Sequence, residues 1–284
     1  MNRRFFFGAA GAGLAALCTG AGYAGYAEPR WLEVKRTSVR LGRDSQPDGK
    51  RPVRILQLTD MHASRVVPMS LIEEAAALGA AEKPDLICLT GDFVTLGASY
   101  DAGAYTRILG ELARVAPTVG VLGNHDGGLW GKAMAESTPV ERMLERAGIP
   151  LLHNRWQPMN VRGQKFALAG VGDLWAQQVD GAAAFEGLDN PKDPVIVLAH
   201  NPDTKDELRR KPWDLMLCGH THGGQVVLPV GGARFAPVRD KRYVAGLHPW
   251  NDGRLIYTSR GVGSLGGVRF RCRPEVTILD VHIG

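Results

Sequence analysis

At 284 residues, 44% of them hydrophobic, the chain can build one large globular domain or two small ones around a sizeable core. Its net charge of +5 is modest, and no basic tract is interleaved with aromatics, which argues against nucleic-acid binding. The four cysteines (Cys18, Cys88, Cys218 and Cys272) include no C-x-x-C pair, so free thiols are expected rather than a zinc knuckle or a disulfide framework.

Arg3-Arg4 open an uncharged stretch, Phe5 to Ala27, rich in Ala, Gly and Phe. It is long enough to cross a bilayer as a helix, and a basic start with an apolar middle also describes a secretory signal. Arg-Arg followed by Phe-Phe-Phe resembles a twin-arginine export signal, with Asn2 where Ser or Thr is usual, and Gly25-Tyr26-Ala27 is a tolerable cleavage site. The flanking basic residues point the other way. Arg30, Lys35, Arg36, Arg40 and Arg43 follow the apolar stretch against Arg3 and Arg4 before it, and the positive-inside rule would keep the following domain in the cytoplasm. The expectation is a membrane-associated, exported protein whose residues 5–27 engage the bilayer or the twin-arginine machinery, with the cytoplasmic face as the alternative. Residues 1–27 thus read as signal or anchor, 28–51 as a tether with a short strand option at Trp31–Val34, and 52–284 as one domain.

Val53–Leu58 is a β-like run ending in Thr59-Asp60-Met61-His62. Pro68–Glu82 has helical spacing, with Leu71, Ile72, Ala75 and Leu78 on one side. Asp85–Thr90 is a second apolar run ending at Gly91-Asp92. Ala102–Val115 reads as a helix, and Val119–Leu122 as a strand ending at Gly123-Asn124-His125-Asp126. Ser137 or Thr138 caps a helix through Arg146, with Pro139 in its first turn and Gly148 as its stop. Phe166–Val171, Val195–Ala199, Leu215–Cys218, Val226–Leu228, Leu255–Thr258 and Val276–Val281 continue as strands. The alternation gives an α/β fold with two packed mixed β-sheets and helices outside.

Polar residues fall where apolar runs end. Asp60 and His62, Asp92, Asn124 and His125, His200, and His220 and His222 all follow a strand-like run, and ligands of open α/β sheets bind beyond such ends. In Gly219-His220-Thr221-His222-Gly223 the spacing aims both imidazoles at one point, with the threonine turned away and glycine leaving room for a ligand. Each piece alone has a plainer reading: a turn at Gly123-Asn124, a loop start at Gly91-Asp92, a helix cap at His200-Asn201-Pro202.

As an ordered set, Asp-x-His, Gly-Asp, Gly-Asn-His-Asp, His and Gly-His-x-His resembles the calcineurin-like metallophosphoesterase family from about Val53 to the C-terminus. The resemblance implies a four-layer αββα sandwich with a dinuclear metal centre. It makes Asp60, His62 and His222 ligands of one divalent ion, Asn124, His200 and His220 ligands of the other, and Asp92 the bridge. Nitrogen and oxygen donors suit Mn, Fe or Zn, with Mn favoured for activity in vitro. Two such ions about 3.5–4 Å apart hold phosphoryl oxygens and a hydroxide for in-line attack. The family pattern places His125 beside the metals, where it stabilises phosphoryl charge or protonates the leaving oxygen. Thr95 stands where protein phosphatases carry the aspartate that orients this histidine, and Leu122 where they carry an arginine; both departures favour a phosphodiesterase or pyrophosphatase. Asp126 is a nearby candidate for the orienting role.

A narrower resemblance, to the YaeI-type membrane-associated phosphodiesterases, rests on Glu28-Pro29-x-Trp31, Gly172-Asp173-Leu174-Trp175-Ala176, Leu198-Ala199-His200-Asn201-Pro202-Asp203, Asp240–Gly246 and Arg260–Leu265. It implies hydrolysis of a phosphodiester. The alternative is a pyrophosphatase acting on a UDP-2,3-diacylglucosamine-like nucleotide lipid, and the remote one an inactive metal-binding envelope module. Asp173-Leu174-Trp175 and Arg239–Arg242 are candidates for the substrate site; His153, His248 and His282 match no motif.

Overall fold

The computed structural model describes residues 19–42, 51–126 and 138–283. Two β-sheets lie face to face. The first has five strands: β1 (Glu33–Leu41), β2 (Val53–Leu58), β3 (Leu86–Thr90), β4 (Thr118–Val121) and β11 (Glu275–Ile283), in the order β1-β11-β2-β3-β4. The second has six: β5 (Arg155–Val161), β6 (Gln164–Gly170), β7 (Val195–Leu198), β8 (Leu215–Cys218), β9 (Gly246–Trp250) and β10 (Arg254–Thr258), in the order β5-β6-β7-β8-β10-β9. β2, β3 and β4 run parallel, as do β6, β7, β8 and β10.

The alternation of strand side chains divides the core into layers. Val53 and Ile55 of β2 face the second sheet, where they meet a cluster that includes Leu168, Ile196, Leu198, Leu215 and Leu217. Leu56 and Leu58 of the same strand face outward, under α1 (Met69–Ala81), α2 (Ala102–Ala113) and α3 (Pro139–Arg146). The outer face of the second sheet is covered more thinly, by short helical turns and by Phe185, Leu208, Trp213, Tyr243 and Trp250. Helix ends follow local chemistry. The Asp101 carboxylate accepts from the Ala104 N–H at 2.9 Å, and Thr138 with Glu141 forms a capping box ahead of Pro139.

Three departures from the sequence reading are structural. The 28–51 tether is not one throughout: Glu33–Leu41 is an edge strand in register with β11, and Glu28 is buried. Charged residues on an exposed edge disguise such a strand. Val226–Leu228 is not a strand; Val226 and Leu228 make only isolated bridges, to Phe270 and Gly232. β5 and β9 form the two edges of the second sheet, where Pro158 and Pro249 are tolerated. Most of the apolar stretch 5–27 lies outside the described residues. Its end, Tyr23–Ala27, is helical, and no described helix is long and apolar enough to cross a membrane. Cys88, Cys218 and Cys272 are buried free thiols, and burial raises the thiol pKa of each.

Candidate metal centre

Five parallel strand ends build the site, three from one sheet and two from the other. Asp60 and His62 follow β2, Asp92 follows β3, Asn124 and His125 follow β4, His200 follows β7, and His220 and His222 follow β8. Backbone bonds continue past the strands and lock these segments together: Asp60 N–H to Gly91 O at 2.9 Å, His62 N–H to Asp92 O at 3.0 Å, and Gly219 N–H to His200 O at 2.9 Å.

All seven sequence-derived ligand candidates, and His125 with them, come to one crevice. The Asp92 Oδ2 atom lies 3.3 Å from His62 Nε2 and 3.1 Å from His200 Nε2, between two groups of donors. On one side His62 Nε2 and His222 Nε2 are 3.1 Å apart, with Asp60 Oδ1 3.4 Å from His222. On the other, His200 Nε2 and His220 Nδ1 are 3.3 Å apart. The two histidines of the Gly-His-x-His motif therefore serve opposite sides, not one point. Residues two apart in an extended strand point the same way. Here His220 and His222 have φ of 69° and 50°, and the left-handed turns send their rings apart. Thr221 does face away, its hydroxyl donating to Val244 O at 2.6 Å.

Strain concentrates in this shell. Of the twelve non-glycine residues with positive φ among the described residues, five are Asp60, His62, Asp92, His220 and His222. Each such conformation costs roughly 1 kcal/mol or more, and it persists only where the surroundings over-determine it. Gly219 and Gly123 are part of that frame. A Cβ on Gly219 would strike the Asp60 carboxylate and the Thr59 hydroxyl, and one on Gly123 would strike Asp92.

The donor set fits divalent cations. Every ring nitrogen named above points at a carboxylate or another ring nitrogen, and the Asn124 Oδ1 atom is buried without a hydrogen-bond partner. A carbonyl oxygen left so is costly unless something positive meets it. Protons and burial adjust the charge among these side chains. Burial alone would lower His200, but the Asp92 carboxylate outweighs it and raises the imidazole well above its usual pKa. Asp92 is held well below the carboxylate range by His200 and His62 despite its burial. Burial lowers His220 to about 3 and, with the His62 charge, holds His222 well below the ordinary imidazole value.

Neighbouring groups fix the orientation of these side chains. His200 Nδ1 donates to Thr90 O at 2.8 Å, so Nε2 faces Asp92. The backbone N–H of His220 donates to both Asp60 oxygens, at 3.0 and 2.9 Å. Thr95 supports His62, not His125: its hydroxyl is 3.2 Å from His62 Nδ1. The His125 ring packs edge-on to His62 with centroids 4.9 Å apart, and its Nδ1 accepts the Leu96 N–H at 3.2 Å. Asp126 does not orient His125. Its buried carboxylate accepts from Phe93 N–H, Val94 N–H and Gly123 N–H, tying the β3 and β4 loops together.

A cleft of about 500 Å³ opens over Asp92, Asn124, His125 and the β8 histidines, with Trp175, Phe235 and Leu265 on its walls. Trp175 also packs edge-on to His220, with centroids 4.3 Å apart. Asp173 is buried and accepts the Ala176 N–H, and none of residues 239–242 lines the cleft. Arg242 is instead paired with Asp240, and the Lys241 ammonium reaches Ala236 O.

Arg269 had no signal in the sequence. Its fully buried guanidinium donates to Arg260 O at 2.8 Å, Gly261 O at 3.0 Å, Cys272 O at 3.1 Å and Gly263 O, with no carboxylate partner among the described residues. It gathers the 260–263 loop, whose Gly263 N–H closes on Asp60 O at 2.7 Å.

Residues 53–224 match the calcineurin-like phosphoesterase family. The chain is 46% identical to phosphodiesterase YaeI of Escherichia coli, over 99% of both proteins. It is 31% identical to the uncharacterized metallophosphoesterase YkuE of Bacillus subtilis, over 99% of this chain and 98% of that one. The UDP-2,3-diacylglucosamine pyrophosphatase LpxG of Chlamydia trachomatis is 26% identical over 90% of this chain and 91% of its own. The chain belongs to the calcineurin-like phosphoesterases, hydrolases of phosphoester bonds whose cleavage centre is built from divalent metal ions.

Proposed function

We propose that this protein is a metal-dependent phosphodiesterase. The observation that carries the reading is the place of Asp92 Oδ2, within 3.3 Å of a ring nitrogen on either side, beneath an open cleft. Asp60, His62 and His222 would hold one divalent ion, Asn124, His200 and His220 the other, and Asp92 would serve both. Bound there, two such ions would supply Lewis acidity and lower the pKa of water enough to make hydroxide available near neutral pH. No side chain is then needed as nucleophile, and no serine or cysteine is among the described residues lining the cleft. Manganese is the ion we expect to support activity in vitro.

His125 acts from the side of the cleft. With Nδ1 accepting from Leu96, the neutral ring carries its proton on Nε2, where it can donate a hydrogen bond to a phosphoryl oxygen or to the ester oxygen as negative charge builds on it. Burial lowers the His125 pKa, against the pull of Asp92, which favours this neutral donor form. No Arg or Lys is among the described residues lining the cleft, and Leu122 is buried in the core. A monoester dianion lacks a guanidinium partner there; a singly charged diester needs none. Trp175, Phe235 and Leu265 offer apolar walls to the ester substituent.

The relationship to LpxG and those same walls support a second substrate within this chemistry, a nucleotide-linked lipid pyrophosphate. Association with the membrane through residues 5–27, and export by the twin-arginine route, rest on the sequence of that stretch. The deciding assay compares bis(p-nitrophenyl) phosphate with p-nitrophenyl phosphate in added Mn. The diester should be preferred by about tenfold or more in kcat/KM, a difference of roughly 1.4 kcal/mol in transition-state binding. A preference for the monoester would overturn the reading.

A further inference from the structure

The walls of the cleft do not end at its lip. Phe235 lines the cavity yet is 74% exposed, and Val230, at the tip of the turn closed by Leu228 N–H and Gly232 O, is 83% exposed. Across the opening, exposed Leu265 leads along the chain to exposed Val268, and Gly267 abuts exposed Val66. Large aliphatic and aromatic side chains so exposed, and gathered on one rim, mark an interaction surface.

Two observations say what covers it. The first is charge. Three segments that reach this rim, 61–72, 223–239 and 261–274, contain no Asp or Glu, while Arg65, Arg234 and Arg271 are exposed within them. The second is where the apolar N-terminal stretch arrives. Residues 5–22 carry no charge, and the chain that follows docks on the same rim: the Arg269 N–H, next to Val268, donates to Ala24 O at 2.9 Å. Exposed Tyr26 and Trp31 follow, each under a guanidinium, with Arg30 4.3 Å from the Tyr26 centroid and Arg273 4.0 Å from that of Trp31. Aromatic rings with snorkelling arginines beside an apolar segment are the chemistry of a bilayer's headgroup layer.

We propose that the mouth of the cleft docks on an anionic lipid bilayer, with Val230, Phe235, Leu265 and Val268 entering the headgroup boundary and the rim arginines meeting lipid phosphates. The cleft then opens toward the membrane, and a phosphoester carried on a lipid enters it without crossing water. The docking surface does not depend on which phosphoester the centre cleaves.

The test uses the full chain with Cys18→Ser, in which the three remaining native thiols are buried. Single cysteines replace Val230, Val268 or, as a control at the opposite ends of the strands, exposed Asn190, and each carries an environment-sensitive NBD label. The probes are phosphatidylglycerol-rich vesicles containing acyl-chain nitroxide quenchers. Labels at 230 and 268 should shift to the blue and lose roughly half their emission, as expected about 5–10 Å into the interface, while the label at 190 stays unchanged. Pure phosphatidylcholine should weaken the effect. Labels at 230 and 268 as unquenched as the control would overturn the proposal. So would a blue shift that needs only more protein and no vesicles, which would make the rim a contact between copies of this chain. The readout requires no catalysis, so it stands apart from the diester assay.

Discussion

The Leu96 backbone N–H donates to His125 Nδ1 over 3.2 Å. A neutral peptide donor cannot hold a proton on Nδ1, so it selects the imidazole that donates through Nε2. His125→Ala should therefore keep its metal and lose turnover, by ~10²–10⁴-fold for a poor leaving group. The loss should shrink for nitrophenolate, which needs little help from a proton. Metal content by elemental analysis, alongside kcat for both ester types, checks the assignment; metal lost together with activity would sink it.

Asp92→Asn should behave differently. The Oδ2 atom faces His62 and His200, and Oδ1 accepts the backbone N–H of His125 at 2.9 Å, so one carboxylate serves both halves of the centre and the β4 loop. An amide removes the charge that would balance two cations. Both ions should be lost, and excess Mn should restore little activity. Retention of a full complement of metal would show that Asp92 is not shared.

Thr95→Val keeps the shape of the side chain and removes the hydroxyl 3.2 Å from His62 Nδ1. Loss of such a support for a ligand typically costs 10–100-fold in affinity. Mn titration of activity should show a higher half-saturation for one ion with kcat nearly unchanged at saturation. Equal affinity in the variant would leave Thr95 a purely structural contact.

Burial sets two groups against each other in acid. It pushes Asp126 up to about 7, with Asp92 adding to the rise, and His220 down to about 3, with His200 adding to the fall. An unfolded aspartate titrates near ~4, so between there and 7 the folded state keeps a proton the unfolded chain has lost, and stability rises as pH falls. His220 has the opposite sign. The unfolded imidazole takes a proton below ~6.5 and the folded one does not until about 3, so stability falls with pH. In chelator, relative to wild type, Asp126→Asn should make the protein lose stability on acidification and His220→Asn should make it gain. Urea unfolding between about pH 4 and 6.5 reads the slopes, each change approaching ~1.4 kcal/mol per pH unit. A change of the same sign in both variants would refute the pairing.

The same Asp126→Asn variant should also be less stable at neutral pH. Its carboxylate accepts three backbone N–H groups, and an amide turned to keep two of them faces the third with its own N–H. The cost should be ~1–3 kcal/mol in equilibrium unfolding. Wild-type stability in the variant would mean that the loops are not held this way.

The sequence by itself determined the strands buried on both faces and the order of polar residues after them. β2, β3, β7 and β8 are near-continuous apolar runs because parallel strands between two layers can carry little else. The residues that follow them are polar because that is where backbone, solvent and ligand meet. The tertiary structure alone decided the edges and the supports. β1, β5 and β9 are edge strands whose charged residues or prolines erase the alternation that marks a strand, and β1 pairs with β11 from the far end of the chain. Thr95, Leu96 and Arg269 act through a hydroxyl, a peptide N–H and a guanidinium that reaches distant carbonyls. Such contacts have no sequence spacing, because any residue with the right donor serves once the fold has brought its partner near. The split of His220 and His222 between two halves of the centre was likewise hidden, since the motif fixes their separation along the chain and only backbone torsion fixes where each ring points.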